Sequence, residues 1–165
     1  EEKTTPGDET KAVTSAAAIT NMSGYDATYS RSFEMDDGKN AEAVLAIWKD
    51  WDNGNLDPSK GLFADSVTFL TGDGSVISGP LDSAFGAMKS YREMFTTIKS
   101  TVTAILPVKS TDKNENWVSI WGTEISTDKK GKIDSVSLQE SWRFNKDGKV
   151  NLFIQHMRVL KPAGK

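Results

Sequence analysis

The chain holds one histidine, His156, among its 165 residues. It also has a glutamate, Glu140, in a run whose alternation places it among apolar side chains. Val136, Leu138, Glu140, Trp142 and Phe144 fall on one side of an extended segment, with Ser137, Gln139, Ser141 and Arg143 on the other. A carboxyl on the apolar side is desolvated, which disfavours its charged form and raises its pKa. The turn Asn145-Lys146-Asp147-Gly148 leads into the next strand. Pairing Asn145 with Lys149 sets Glu140 opposite Ile154 and Leu138 opposite His156. Val150, Leu152, Ile154, His156 and Leu160 then share the buried face, with Arg158 near its end. Glu140 and His156 become diagonal neighbours within roughly 7–8 Å, a candidate acid–base pair for work near neutral pH. The same residues also allow a structural reading, with His156 at the sheet rim and Glu140 paired with Arg158 or bonded to a tryptophan indole.

The tryptophans Trp48, Trp51, Trp117, Trp121 and Trp142 read first as core. Trp48, Trp121 and Trp142, together with Leu138, Ile154 and Arg158, are candidates for lining a cavity that takes a flat or apolar ligand. No metal site is read. Asp112, Asn114 and Asn116 alternate as in a calcium loop, but Trp117 stands where that loop needs glycine and no bidentate glutamate follows in register. No cysteine is present, which removes disulfides, thiol nucleophiles and zinc–thiolate sites. The net charge of −3 comes with basic residues scattered among acids, so no basic stripe for nucleic acid or anionic lipid is visible. No cofactor is expected, since no glycine fingerprint for nucleotides follows a strand.

These residues need a scaffold, and the sequence outlines one. Residues 1–38 read as a flexible N-terminal tether and arm, poor in aliphatic residues up to Ser23. Tyr25, Tyr29 and Phe33, four apart, suggest an arm or short helix packed on the domain. A helix is expected from near Asn40 to Asn53, with Ala41, Val44, Leu45, Trp48 and Trp51 on one face and Asp36, Asp37 and Asn40 offering cap oxygens. Val67–Thr71 and Ser75–Ser78 form a hairpin around Gly72-Asp73-Gly74. A second helix is expected from Leu81 to about Ile98. Strands follow over 101–109, 117–128, 133–144 and 150–160, joined by turn chemistry and so antiparallel. Residues 39–165 thus form one α+β domain with helices covering one sheet face.

Four stretches go further: Trp48 to Asp57 (Trp-Lys-Asp-Trp-Asp-Asn-Gly-Asn-Leu-Asp), Leu62 to Val67, Gly79-Pro80 before the second helix, and the closing strand pair Ser141 to His156. In this order they resemble the nuclear transport factor 2-like superfamily, in particular its SnoaL-like and ketosteroid-isomerase-like branch. The resemblance implies a cystatin-like cone, a curved antiparallel sheet wrapped around helices, and a homodimer through the sheet's outer face. It places the isomerase branch's general base at Thr71, its phenolic donor at Ile47 and its protonated acid donor at Glu140. Only the last keeps a suitable side chain, and Asp73 replaces the base only if the hairpin turns inward. Trp121-Gly122-Thr123-Glu124 and Asn145-Lys146-Asp147-Gly148-Lys149 resemble SnoaL-like proteins exported by Bacteroidetes-type bacteria. That implies an extracytoplasmic location, periplasmic or outer-surface, with membrane contact only through a lipid anchor upstream of Glu1. The start at Glu1, without a methionine, fits a mature or truncated form. The leading expectation is a pocket domain for a small apolar or aromatic molecule. The alternatives are a cofactor-independent isomerase, cyclase or hydratase using Glu140 and His156, and a dimeric interaction module.

Overall fold

The computed structural model describes residues 19–160, so most of the tether expected up to about Ser23 lies outside the described residues. Seven strands form one curved, unclosed sheet with two helices and a 3-10 helix. In chain order these are β1 (Phe33–Met35), α1 (Lys39–Asn53), the 3-10 helix (Asp57–Leu62), β2 (Phe63–Leu70), β3 (Val76–Pro80), α2 (Leu81–Arg92), β4 (Phe95–Ser110), β5 (Glu115–Asp128), β6 (Ile133–Phe144) and β7 (Val150–Val159). Their order across the sheet is β1-β4-β5-β6-β7-β2-β3. All neighbours run antiparallel except β2 and β7, which are parallel. That join bends the first hairpin onto the far edge of the long meander.

Helix α1 lies against β4 and β5, and α2 lies against β2 and β3. Ala41, Val44, Ile47 and Trp48 face the core, while Leu45, expected on that face, is exposed. At its start the Asp37 carboxylate accepts from the Lys39 N–H, and Asp36 accepts from the Asn40 side chain. Gly54 ends it with φ of 76°, the left-handed conformation that glycine adopts without a Cβ penalty. The N-terminal arm joins the sheet as β1, pairing with residues 108–110, and Tyr29 packs edge-on against Trp117. The segment read from sequence as an arm thus contributes a strand and a ring contact to the sheet.

Helix α2 is shorter than the expected run to Ile98. It stops at Arg92, whose buried guanidinium donates to the carbonyls of Trp51 at 2.6 Å, Asp52 at 3.1 Å and Phe95 at 3.1 Å. Arg92 thereby satisfies the Asp52 carbonyl in the last turn of α1 and gives a second donor to the Trp51 carbonyl, which also accepts from the Gly54 N–H at 3.2 Å. Its bond to Phe95 fixes the chain reversal, and the β-branched Thr96, Thr97 and Ile98 continue as strand. The apolar residues Phe95 and Ile98 that mimic a helical stripe belong to β4.

The closing hairpin corrects the expected register. Phe144 pairs with Val150 as the turn requires, but Arg143 pairs with Leu152, so Asn151 is an extra residue. The Arg143 Nε donates to the Asn151 carboxamide oxygen at 3.0 Å. This bulge reverses the facing of everything after it. Glu140 sits opposite Gln155, not Ile154; Leu138 is opposite Met157, and His156 pairs with Gln139 on the outer face. The gain is aromatic packing: Phe153 turns inward to meet Trp142 at a centroid separation of 4.4 Å and Phe69 at 6.0 Å.

One glycine marks a close approach. A Cβ on Gly122 would fall 2.5 Å from the Thr101 carbonyl oxygen and 2.9 Å from the Trp48 ring. Gly122→Ala is therefore expected to lower stability by about 1–3 kcal/mol, read as a reduced urea midpoint with unchanged slope.

Candidate functional site

The concave side of the sheet and the two helices enclose a cavity of about 340 Å³, within the size range of small-molecule sites. Its wall is built from three sources. Helix α1 supplies Ile47, Trp48 and Trp51; α2 supplies Met88 and Tyr91; the sheet supplies Phe63, Phe69, Leu138, Trp142 and Phe153 among others. The hairpin between β2 and β3 turns inward, so Thr71, Gly72, Asp73 and Ser75 also line the cavity.

Glu140 sits in this wall, 4% exposed. Its Oε2 accepts from the Trp48 indole N–H at 2.7 Å and from the Trp142 indole N–H at 3.1 Å. Its Oε1 accepts from the Gln155 amide at 2.9 Å. Burial pushes its pKa up from 4.5 to about 7, against the pull of the Gln155, Trp48 and Trp142 hydrogen bonds. Charged hydrogen bonds of this kind contribute roughly 1.5–3 kcal/mol each. They offset much of the desolvation without abolishing it.

Glu124 is a second carboxyl on the cavity wall, and it repeats the pattern one turn along α1. Trp51, three residues after Trp48, donates its indole N–H to the Glu124 Oε2 at 2.8 Å. Burial again raises the pKa, opposed by the Trp51 hydrogen bond. Trp51 also stacks on Tyr91, with centroids 6.2 Å apart and planes inclined by 16°. Burial raises the Tyr91 pKa, with Glu124 and Asp73 adding to the rise. Asp73 is held by the Thr71 hydroxyl at 2.6 Å and the Ser75 N–H at 2.9 Å, which lower its pKa.

The candidate residues divide cleanly between the two sheet faces. Trp48, Trp142, Leu138 and Glu140 come together at the cavity. Trp121 and His156 pair through Gln139, Ile154 pairs with Ser141, and Arg158 pairs with Ser137, all on the outer face. Glu140 and His156 are thus on opposite sides of the sheet and cannot exchange a proton directly. Glu140 bonds the two indoles and Gln155, with no contact to Arg158. Of the positions that the resemblance carried over, Ile47 and Thr71 line the cavity beside Glu140, and Asp73 lines it too. Glu124, Tyr91 and Gln155 were not singled out from sequence. For Glu124 a signal existed, since Val118, Ile120 and Glu124 share one side of β5 by alternation. For Gln155 none did, because the bulge at Asn151 has no sequence mark. Among the described residues no group of three or more histidine, aspartate or glutamate side chains stands ready to hold a metal ion.

No protein-family model matches the sequence, and no curated protein matches it significantly. Solved structures do match. A nuclear transport factor 2-like protein of unknown function from Exiguobacterium sp. 255-15 superposes with a TM-score of 0.59 at 16% identity, covering 70% of this chain and 98% of that one. The chain has the nuclear transport factor 2-like fold. SalBIII, an epoxide hydrolase/cyclase-like enzyme in pyran ring formation of the polyether salinomycin, superposes at 0.59 with 14% identity, over 74% of this chain and 93% of that one. An epoxide hydrolase of the LEH-like type from M. tuberculosis does so at 0.58 with 13% identity, over 72% and 82%. Identities this low carry the cone itself and say nothing of substrate.

The raised pKa of Glu140 has a signature in stability. Between about pH 4.5 and 7 the folded chain keeps this proton while the unfolded chain loses it. Folding therefore weakens as pH rises through this window, by on the order of 3 kcal/mol for this group, and levels off above it. In Glu140→Gln the amide oxygen still accepts from both indoles, and this component of the slope should vanish. Urea unfolding of both proteins from pH 4.5 to 8.5 checks it, and parallel curves would contradict it.

Proposed function

We propose that the cone binds a small, largely apolar molecule and that this binding is the chain's function. The observation that supports it is the cavity of about 340 Å³, walled by aromatic and aliphatic side chains around a buried, fully hydrogen-bonded Glu140. A pocket already formed and rigidly braced needs little ordering when a ligand enters. Glu140 serves here as a fixed part of the wall that holds Trp48 and Trp142 in place.

A second reading is proton transfer by Glu140 acting without His156, as in a cofactor-independent isomerase, cyclase or hydratase. It is favoured by a pKa of about 7, where a carboxyl both gives and takes a proton. The roles of SalBIII and the mycobacterial hydrolase agree with either reading at this coarse level. One experiment addresses both. A thermal-shift screen of lipophilic compounds should yield stabilising ligands, and Met88→Trp, which adds bulk to the cavity wall, should abolish the shift while the chain stays folded. With a ligand in hand, Glu140→Gln should retain binding under the first reading. Under the second it should retain binding but lose turnover by about 100-fold or more. An absence of any ligand-induced shift would contradict both readings.

We also propose that the outer face pairs two copies of the chain. There Leu106, Trp121 and Ile125 stand 37–48% exposed as large apolar side chains on adjacent strands, the kind of patch that marks an interaction surface. Sedimentation velocity should show a dimer that Trp121→Glu converts to monomer. A monomer at all concentrations in the unmodified chain would refute the pairing.

A further inference from the structure

The cone is lined by charge of one sign. Asp73, Glu124 and Glu140 all reach the cavity, and among the described residues no lysine, arginine or histidine does. The nearest cation, Arg92, acts on Glu124 from behind the wall and has its guanidinium taken by the carbonyls of Trp51, Asp52 and Phe95. Asp52 also acts on Glu124, with the opposite sign to Arg92, and its carboxylate accepts from the Ser100 N–H and hydroxyl. An apolar cavity walled in this way focuses a negative potential inward.

The three acids are not equivalent. Glu140 has both oxygens occupied by Trp48, Trp142 and Gln155. Glu124 accepts one hydrogen bond on Oε2, from Trp51, and its Oε1 has no donor among the described residues. The Trp51 ring that holds Glu124 is stacked on Tyr91, and Tyr91 feels the charges of both Glu124 and Asp73. One stretch of wall therefore combines two carboxylates with two aromatic rings. An ammonium group is stabilised by both, through Coulomb attraction and through the negative face of the ring. A carboxylate would meet three acids with no compensating base, and a neutral head group would gain little from either element.

Resting on the pocket-binding reading above, we propose that the ligand is a hydrophobic amine. Its ammonium group is held by Glu124, Asp73 and the face of Tyr91, and its apolar body packs against the buried Phe69, Leu138 and Trp142. Glu124 is the residue that selects the head group; Glu140 belongs to the wall. Ammonium binding favours the ionised carboxyls, so protons are released into solution as the complex forms. The charged groups acting on Glu124 are Asp52 and Arg92, those acting on Tyr91 are Glu124 and Asp73, and Glu124 acts in turn on Glu140, so the surroundings of the head group stay acidic in balance.

The test compares four probes of one skeleton by titration calorimetry at neutral pH on the full chain: 4-phenylbutylamine, its trimethylammonium analogue, 4-phenylbutanol and 4-phenylbutanoate. The two cations should bind about tenfold or more tightly than the alcohol, a difference of about 1.4 kcal/mol, and the carboxylate should bind weakest. Glu124→Gln keeps an acceptor for Trp51 and should remove the preference for the cations while leaving the alcohol within about twofold. Alcohol or carboxylate binding as tightly as the amine overturns the assignment of the head group and leaves the pocket reading intact. Failure of all four probes to bind overturns the pocket reading and the amine together. If Glu124→Gln does not fold, Asp73→Asn at the exposed mouth takes its place, and an undiminished cation preference in that variant overturns the proposal.

Discussion

The fold hangs on one buried carboxyl that ties three elements together. Glu140, on β6, takes hydrogen bonds from Trp48 on α1, Trp142 on its own strand and Gln155 on β7. A polar group at this depth is tolerated only because every donor reaches it. Those donors are large side chains, so satisfying the carboxyl also fixes the two indoles that shape the cavity. Gln155 extends the chain of contacts to the mouth, since its amide oxygen accepts from the Gly72 N–H at 3.2 Å. Helix, sheet and entrance hairpin are thus registered against a single point.

Around that point the chain spaces its parts by ordinary geometry. Trp48 and Trp51 stand three residues apart on α1 and so project to the same side, each onto its own glutamate. Gly122 leaves the Trp48 ring room to approach β5. Arg92 closes the end of α1 and starts the chain back into β4. The cavity remains because these braces fix the walls apart, and rigid aromatic groups cannot collapse into the space between them. An apolar hollow with a polar wall post is a feature that packing alone would have removed.

Much of this was legible from residue types. The alternation over Val136–Phe144 puts Glu140 inside, and the turn residues mark each hairpin. Trp48, Trp142 and Leu138 share the apolar side of their elements, and that side lines the cavity. What failed did so at points where tertiary contacts override local pattern. Phe95 and Ile98 continue the helical stripe of α2, but the reach of Arg92 to Trp51 decides where that helix stops. The side chains of β7 depend on a single extra residue that alternation cannot reveal, which moved His156, Ile154 and Arg158 to the other face. Glu124 was readable in principle, since it follows Val118 and Ile120 at even spacing, but Gly122 before it and Ser126 after it break the apolar run that makes Glu140 stand out.

The bulge at Asn151 raises a question of fidelity in folding. A regular hairpin from the same turn differs from the native one by a single residue along β7, so the two pairings compete from the moment the turn closes. In the slipped pairing Phe153 and Gln155 would be set on the outer face, while His156 and Arg158 would be turned onto the cavity side opposite Leu138 and Val136. That exchange would take the Phe153 ring from Trp142 and Phe69 and the Gln155 amide from Glu140, and would strip water from a guanidinium, which alone costs several kcal/mol where no carboxylate meets it. Phe153, Gln155 and Arg158 therefore act together to keep β7 in its native alignment, each favouring the same face from its own side of the sheet.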